Sequence, residues 1–390
     1  MAQYLIRQTL LSLVKLFVFI TLMFFLIQIV MPFDFVDQFA QNCNAACREA
    51  LREQLGLDLP ITQRYFNWLG QIVRFDLGRS LRQESIADVM TRLVPATLLV
   101  VLPGTAIAFV IGLVLGKFTA WRGRGLISGG TTFASIAFFT SFPPWLAFLV
   151  AYAFSRTTYV QRSIGFNFTR FPNTDPNLWL NTEMGPHQIA TQMLIAMITI
   201  SAFVLIGSNL LRRYRRIDIP GFLQVLLIFG GVIGSWYLFG ISELAFDLVD
   251  AASVAIVTYI LLSFGETMLI MRSSMTEVMT EEYVNVAKAK GLPTNVVRDR
   301  HAARNALLPV LSRLVISLPY LLTGIVIIED ALTWPGIGTG MMISLYWQDI
   351  PFVMSVMLIV GIISLIARLV LDVIAAYMDP RIRFSEVGTY

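Results

Sequence analysis

The chain has 390 residues, 56% of them hydrophobic and only 14% charged, and its mean hydropathy is +0.70. Soluble domains carry about 25% charged residues, so the composition excludes a soluble class and points to a membrane protein. The net charge of +4 is small, and the basic residues sit at the edges of apolar blocks, as orientation signals do and a nucleic-acid surface does not. Two cysteines, Cys43 and Cys47, and two histidines, His187 and His301, are too few and too scattered for a metal cage or a disulfide framework, so no metal site is expected.

Roughly twenty apolar residues cross a bilayer core as a helix. The first such block, 10–31, is long for a signal-peptide core and has no convincing small-residue cleavage site after it. It is expected to stay as a membrane helix, with Lys15 snorkelling to the cytoplasmic edge. Residues 33–93 are polar and mixed. Asn44 is placed to cap a short helix ending at Gly56, and Pro60 to open another with Ile61, Tyr65, Trp68, Leu69 and Ile72 at helical spacing. That stripe is expected to pack on the membrane domain or lie at its interface, with a ligand site as the alternative.

The second block, 96–115, contains Pro103-Gly104, which predicts a kink. Gly112, Gly116, Lys117 and Phe118 come nearest to a phosphate-binding loop. The glycines are one residue too close, however, and Phe118 replaces the magnesium-binding hydroxyl. Any ATP must therefore be bound by another chain. The third block, 127–154, is interrupted by Phe142-Pro143-Pro144-Trp145. A disturbed backbone ladder at membrane depth is tolerated only where freed carbonyls face protein or a wet cavity. Pro143, Pro144 and Trp145 are thus candidates for a translocation pathway.

A polar loop, 155–187, contains the sequon-like Asn167-Phe168-Thr169, to which no role is given. The fourth block, 189–211, ends on Arg212, Arg213, Arg215 and Arg216, and the fifth, 222–239, has Gly230 and Gly234 at a spacing that lets helices approach closely. The sixth, 254–271, holds Glu266. A charge at the bilayer centre costs about 2.5–3.5 kcal/mol, so Glu266 must face a cavity or a partner; pathway lining and a structural hydrogen bond both stay open. The seventh and eighth blocks are 307–328 and 352–377.

Between the sixth and seventh blocks lies the run around which the chain is organised, TEEYVNVAKAKGLPTNVVRDRHAARNALLP, 280–309. A short helix over 281–290, broken at Gly291, would make a compact knob. Gly291 reaches backbone conformations closed to other residues and permits close approach by a partner. Small side chains at Ala287 and Ala289 would let the knob enter a cleft, and Lys288, Lys290 and Arg298 would rim it for acidic partners. A solvated basic loop near anionic membrane lipid is the alternative. His301 is expected to be a structural hydrogen-bonding residue rather than a proton relay. After the seventh block, Glu329, Asp330, Trp334, Pro335 and Gly336 begin a loop that reads equally as a gate, a docking face or a plain helix-ending turn.

Orientation follows from alternate loops. Arg7, the 117–124 cluster, the 212–216 cluster, the 288–304 cluster and Arg381 with Arg383 fall on one side, whereas 241–252 and 329–351 contain no Lys or Arg. The positive-inside rule places both termini and 280–309 in the cytoplasm, with 33–93 and 155–187 outside. Cys43 and Cys47 then face an oxidising side, where pairing and free thiols are both open.

The run Tyr283 to Pro309, with AKAKG at 287–291 and HAARNALLP at 301–309, resembles the cytoplasmic EAA loop of bacterial ABC importer permeases of the dipeptide/oligopeptide/nickel branch. LREQLGLDLPITQRYFNWLGQIVRFDLGRSL (51–81), RLVPATLL (92–99), EDALTWPGIG (329–338) and MDPRIRF (378–384) agree, so the resemblance spans nearly all of the chain except about 155–245. It implies an all-α polytopic fold of about eight membrane helices, a six-helix core plus a hairpin inserted at 188–240. The expected segments are an N-terminal membrane helix (1–32), an extracytoplasmic helical region (33–93), the transmembrane domain (94–378) and a cytoplasmic tail (379–390).

The resemblance further implies that the loop docks on an ATPase through Tyr283, Ala287, Lys288, Ala289, Lys290 and Gly291, and then Arg298, His301, Arg304 and Asn305. Implied partners are a second homologous permease, two cytoplasmic ATPases carrying ATP and Mg, and an external solute-binding protein, with no cofactor or catalysis on this chain. Short peptides are the first solute implied, and oligosaccharides or nickel complexes come next. The sequence departs from the family pattern in its extra hairpin, expected to be peripheral. It also departs at Asn285 in place of the loop's Glu, at Leu269 where relatives commonly have Arg, and in the acid Glu266. The rival class is an ATP-independent secondary transporter, which needs buried charge pairs or repeated broken helices; the sequence offers one isolated acid and no clear inverted repeat.

Overall fold

The computed structural model describes residues 2–30, 36, 44–54, 58–80, 84–123, 125–161, 179, 182–215 and 219–378. Cys43, Gly56, Arg124, most of the 155–187 loop with its sequon, Arg216 and the 379–390 tail lie outside them. Among the described residues every regular element is a helix, apart from an isolated bridge between Arg79 and Ser85. The chain forms α1 (Ala2–Val30), α2 (Ala45–Gln54), α3 (Ile61–Val73), α4 (Ile86–Arg122), α5 (Leu126–Phe139), α6 (Pro143–Gln161), α7 (Pro186–Arg215) and α8 (Gly221–Leu238). It continues through α9 (Ser242–Val278), α10 (Glu282–Ala289), α11 (Ala303–Ala331), α12 (Ile337–Tyr346) and α13 (Ile350–Met378).

Six described helices are long and apolar enough to cross a membrane, and α5 with α6, bent by 111° at their junction, meet the same measure only when taken together. With the 29-residue α11, each of the eight expected blocks is found as a helix or a bent pair. The third block is broken rather than continuous. Thr140 and Ser141 turn their hydroxyls back on the carbonyls of Ile136 (2.8 Å) and Ala137 (2.5 Å), so the break feeds its own acceptors.

The core is the seam between α4 and α9, both of 37 residues. At 1.5 Å per residue each is about 55 Å long, well beyond a hydrocarbon core of about 30 Å. Ser85 caps α4, its Oγ accepting from Asp88 N at 3.5 Å. The helix runs as one element through Pro95 and Pro103. Gly104, Ala108, Gly112 and Gly116 recur every four residues and face α9. A β-carbon on Gly104, Gly112 or Gly116 would lie 2.6 Å from Tyr259 Cδ1, Thr267 Cβ or Met268 O respectively. The backbones touch because nothing stands between them.

Residues before α4 are tied in as the sequence predicts. Asn44 Oδ1 accepts from Cys47 N at 3.0 Å and so caps α2; Cys47 is disulfide-bonded. The apolar stripe of α3 packs on α1 and α13, with Tyr65, Trp68 and Leu69 against Phe24, Ile27, Val353 and Met354. Tyr65 OH lies 2.8 Å from Thr21 Oγ1. Buried Asp349 accepts from Phe352 N at 3.2 Å and from Ser80 Oγ, which clips the segment before α4 to the start of α13.

The inserted hairpin, α7 with α8, is attached at one end. Ile189, Ala190, Met193, Leu194 and Ala196 are buried against the body, while Ile198, Phe203, Ile206, Phe222, Leu226 and Phe229 are exposed. Gly230 and Gly234, expected at a close helix contact, face open space. Gly231 is the glycine that meets α7, its β-carbon position lying 2.9 Å from Ile200 Cγ2.

Candidate functional site

The 280–309 loop folds as a cap on the basic end of the seam. α10 closes with the hydrogen bonds of a Schellman motif, Gly291 N to Lys288 O (3.0 Å) and Leu292 N to Ala287 O (3.4 Å). Gly291 takes the left-handed conformation this requires, at φ +71°, and among the described residues, its chain neighbours aside, nothing lies within 4 Å of where its side chain would begin. The chain then turns through Thr294–Val296 and a π-helical turn, Val297–Ala302, into α11.

The inner face of this cap is apolar. Val284 and Ala287 of α10 join Val297, Ala302 and Ala306 in burying Ala120, Met271 and Met275 at the ends of α4 and α9. Asn305 Nδ2 donates to Tyr283 OH at 2.8 Å, which pins α10 to α11. Lys117 of α4 reaches Asp299 Oδ1 at 2.8 Å, and Arg298 grips the same carboxylate at 3.0 and 2.8 Å. The Arg298 hydrogen bonds and then Lys117 hold the Asp299 carboxyl down at about 2; Arg298 is in turn raised, chiefly by its bond to Asp299.

Lys288, Ala289, Lys290, Gly291 and Arg304 are exposed on the outer face. Two expectations are corrected. Ala287 points into the seam, so its small size serves packing within the chain and not entry into a cleft. Arg298 is paired with Asp299 instead of standing alone on the rim, and because Lys117 shares that carboxylate the group keeps a net positive charge. His301 is half-buried in the π-turn with no ring hydrogen bond among the described residues. Sequence reasoning missed Val286, 52% exposed on the outer face. Its position two residues after buried Val284, about 200° round the helix, was the available signal. The Lys117–Asp299 tie joins residues too distant in the chain for any local signal.

The opposite end of α11 carries a second clasp. Glu329 is fully buried, its Oε2 accepting from Gly338 N at 2.6 Å and its Oε1 without a hydrogen-bond partner among the described residues. A β-carbon on Gly336 would collide with that carboxylate. Trp334, 2% exposed, donates from Nε1 to Ala96 O at 3.0 Å, and Ile337 N donates to Thr97 Oγ1 at 2.8 Å. The segment is thus a latch onto α4 rather than a plain turn. Pro335 is exposed and borders an open cleft of about 420 Å3 shared with residues of α4 and α7.

The remaining pathway candidates are dispersed. Trp145 is 56% exposed at the α5–α6 break and points out of the subunit, while Leu146, Ala147 and Val150 face the core. Glu266 is half-buried on α9 and has an interaction partner within the chain. Pro143 and Pro144 start α6 and share no site with either residue of the latch.

Residues 108–384 match the family described as binding-protein-dependent transport system inner membrane component, and residues 1–100 match the N-terminal family described for the same membrane components. The chain is 26% identical over 387 residues to an oligopeptide transport system permease protein of Bacillus subtilis, covering 98% of this chain and 100% of the relative. It is 29% identical over 394 residues to a putative peptide permease protein of Brucella ovis, covering 99% and 100%. Against a dipeptide transport system permease protein of Lactococcus lactis it is 24% identical over 385 residues, covering 98% and 100%. A match over most of its length, on a helical multi-pass fold, means that the chain belongs to the binding-protein-dependent transport system inner membrane components, as a permease subunit.

Proposed function

We propose that this chain is one transmembrane subunit of an ATP-driven importer of short peptides in a bacterial plasma membrane. It pairs with a second homologous permease, two cytoplasmic ATPases that carry ATP and Mg, and an external solute-binding protein. Both termini and the 280–309 cap lie in the cytoplasm. The peptide assignment is supported by the relatives' names. The docking assignment is carried by one observation: an exposed knob, α10 with Gly291, is packed rigidly onto the ends of α4 and α9.

The mechanism follows from where α11 is held. Asp299, just before α11, is tied to Lys117 at one end of α4. Beyond the other end, Trp334 and Ile337 are tied to Ala96 and Thr97. A push on the knob by a closing pair of ATPases is therefore delivered to α4, α9 and α11 as a unit and arrives at the latch. Packed interfaces of this kind shift between discrete arrangements instead of deforming gradually.

A cysteine at Ala289 should cross-link to the ATPase in native membranes. Gly291→Trp, which cannot hold φ +71° without strain, should weaken ATPase recovery and uncouple transport. Normal complex recovery with normal uptake in that variant would refute the docking role.

A further inference from the structure

We propose that the outer end of the inserted hairpin completes an extracytoplasmic receiving site for one end of the imported peptide; this rests on the peptide-import function proposed above. The site is the open cleft of about 420 Å3 beside the latch, inside the range of ligand pockets, about 300–1,000 Å3. It is lined by four separate parts of the chain: residues 84–99, the start of α7 at Pro186, His187 and Ala190, Leu248 of α9, and the Trp334–Pro335 turn.

The floor is apolar, made of Ala96, Leu99, Ala190, Leu248 and Trp334. The mouth is charged. Arg92 and Glu84 lie 3.4 Å apart with 52% and 59% of their side chains exposed, so they hold each other weakly. An arginine in that state is available to a ligand carboxylate, which its planar fork grips with two bonds. Glu84 offers the complementary charge to an ammonium. A peptide end presents this combination, a charge next to a side chain that an apolar floor can cover.

Two of the walls are fixed in advance. Trp334 is locked by Ala96 O, and its turn by Thr97 and Glu329, so ordering them costs nothing when the ligand arrives. The hairpin wall is seated by Ile189, Ala190 and Met193, the part of the hairpin buried against the body. The expectation was a hairpin at the periphery, away from the pathway; its outer end is packed against the body. Its shaft is peripheral, while its outer tip borders the cleft and, in this proposal, decides which peptide ends fit.

The test is photolabelling of the assembled importer in proteoliposomes, with a tripeptide bearing a photoreactive leucine and a free carboxylate, delivered by the external binding protein. Adducts are expected within 84–99, 186–190 or 334–335, displaced by excess unlabelled tripeptide. Arg92→Gln should reduce them about tenfold or more, the loss of a two-bonded charged contact. His187→Trp, which fills the cleft from the facing wall, should reduce them comparably. Adducts confined to other parts of the importer, or cleft adducts indifferent to both substitutions, overturn the proposal. So does labelling of the cleft only by a photoreactive group placed on the binding protein, which makes the cleft that protein's docking surface. Absence of any ATP-dependent tripeptide uptake by the unaltered importer overturns the peptide function itself. Uptake without cleft labelling overturns the receiving site alone.

Discussion

The α4–α9 seam and the α7–α8 hairpin are both helix pairs with glycines four residues apart, and they use them differently. In the seam, Gly104, Gly112 and Gly116 sit under Tyr259, Thr267 and the backbone of Met268. In the hairpin, Gly230 and Gly234 look into open space, and the contact falls on Gly231. Small-residue spacing permits close approach, but whether a partner helix uses the permission depends on where that helix is held. α9 is clamped along its length by α4, α5 and α11, whereas the hairpin is seated at one end, through Ile189–Ala196 of α7 and Ser235 and Trp236 of α8.

The largest effect is expected from Gly116→Leu. Its β-carbon would meet Met268 O at 2.6 Å and Arg272 N at 3.1 Å, and backbone cannot swing aside. The cost should reach or exceed the upper end of overpacking, about 3 kcal/mol, seen as loss of monodisperse protein on size exclusion. Gly231→Leu should cost less, about 1 kcal/mol, because its obstacle is the end of the Ile200 side chain; a modest fall in melting temperature in detergent checks it.

Asp299→Asn should cost less again, about 0–1 kcal/mol as for exposed pairs. The folded carboxyl is depressed to about 2, so its stabilisation is present above the ordinary carboxylate range and is lost as pH falls toward 2. The difference in melting temperature between variant and parent should shrink over that window. Gly230→Leu and Gly234→Leu should change stability by less than about 0.5 kcal/mol. If either proved as damaging as Gly116→Leu, the distinction between the two helix pairs would fail.

Much of the architecture is legible in the amino-acid sequence. All eight blocks, the cap at Asn44, the stripe on α3 and the break at Gly291 follow from local rules of length, capping and backbone freedom. The functional surfaces were legible only in part. Lys288, Lys290 and Ala289 face outward as expected, but Ala287 faces inward, since burial within an eight-residue helix depends on which side meets Met271 and Met275. Gly112 and Gly116, weighed as a failed phosphate loop, are seam residues. Glu329 and Trp334 were visible as unusual residues after a helix, while their partners, Gly338 and Ala96, were not identifiable.

By itself, then, the order of residues determined that this chain is helical, which stretches are apolar enough for a membrane and where its surface knob lies. Bilayer hydrocarbon offers no partners for backbone N–H and C=O groups, so long apolar runs become helices whatever their neighbours are. Only the tertiary structure decided which glycines are contacts, which alanine is buried, and that α11 is clasped to α4 at both ends. Each of these needs two distant segments to meet, and a meeting is a property of both partners that neither segment records alone.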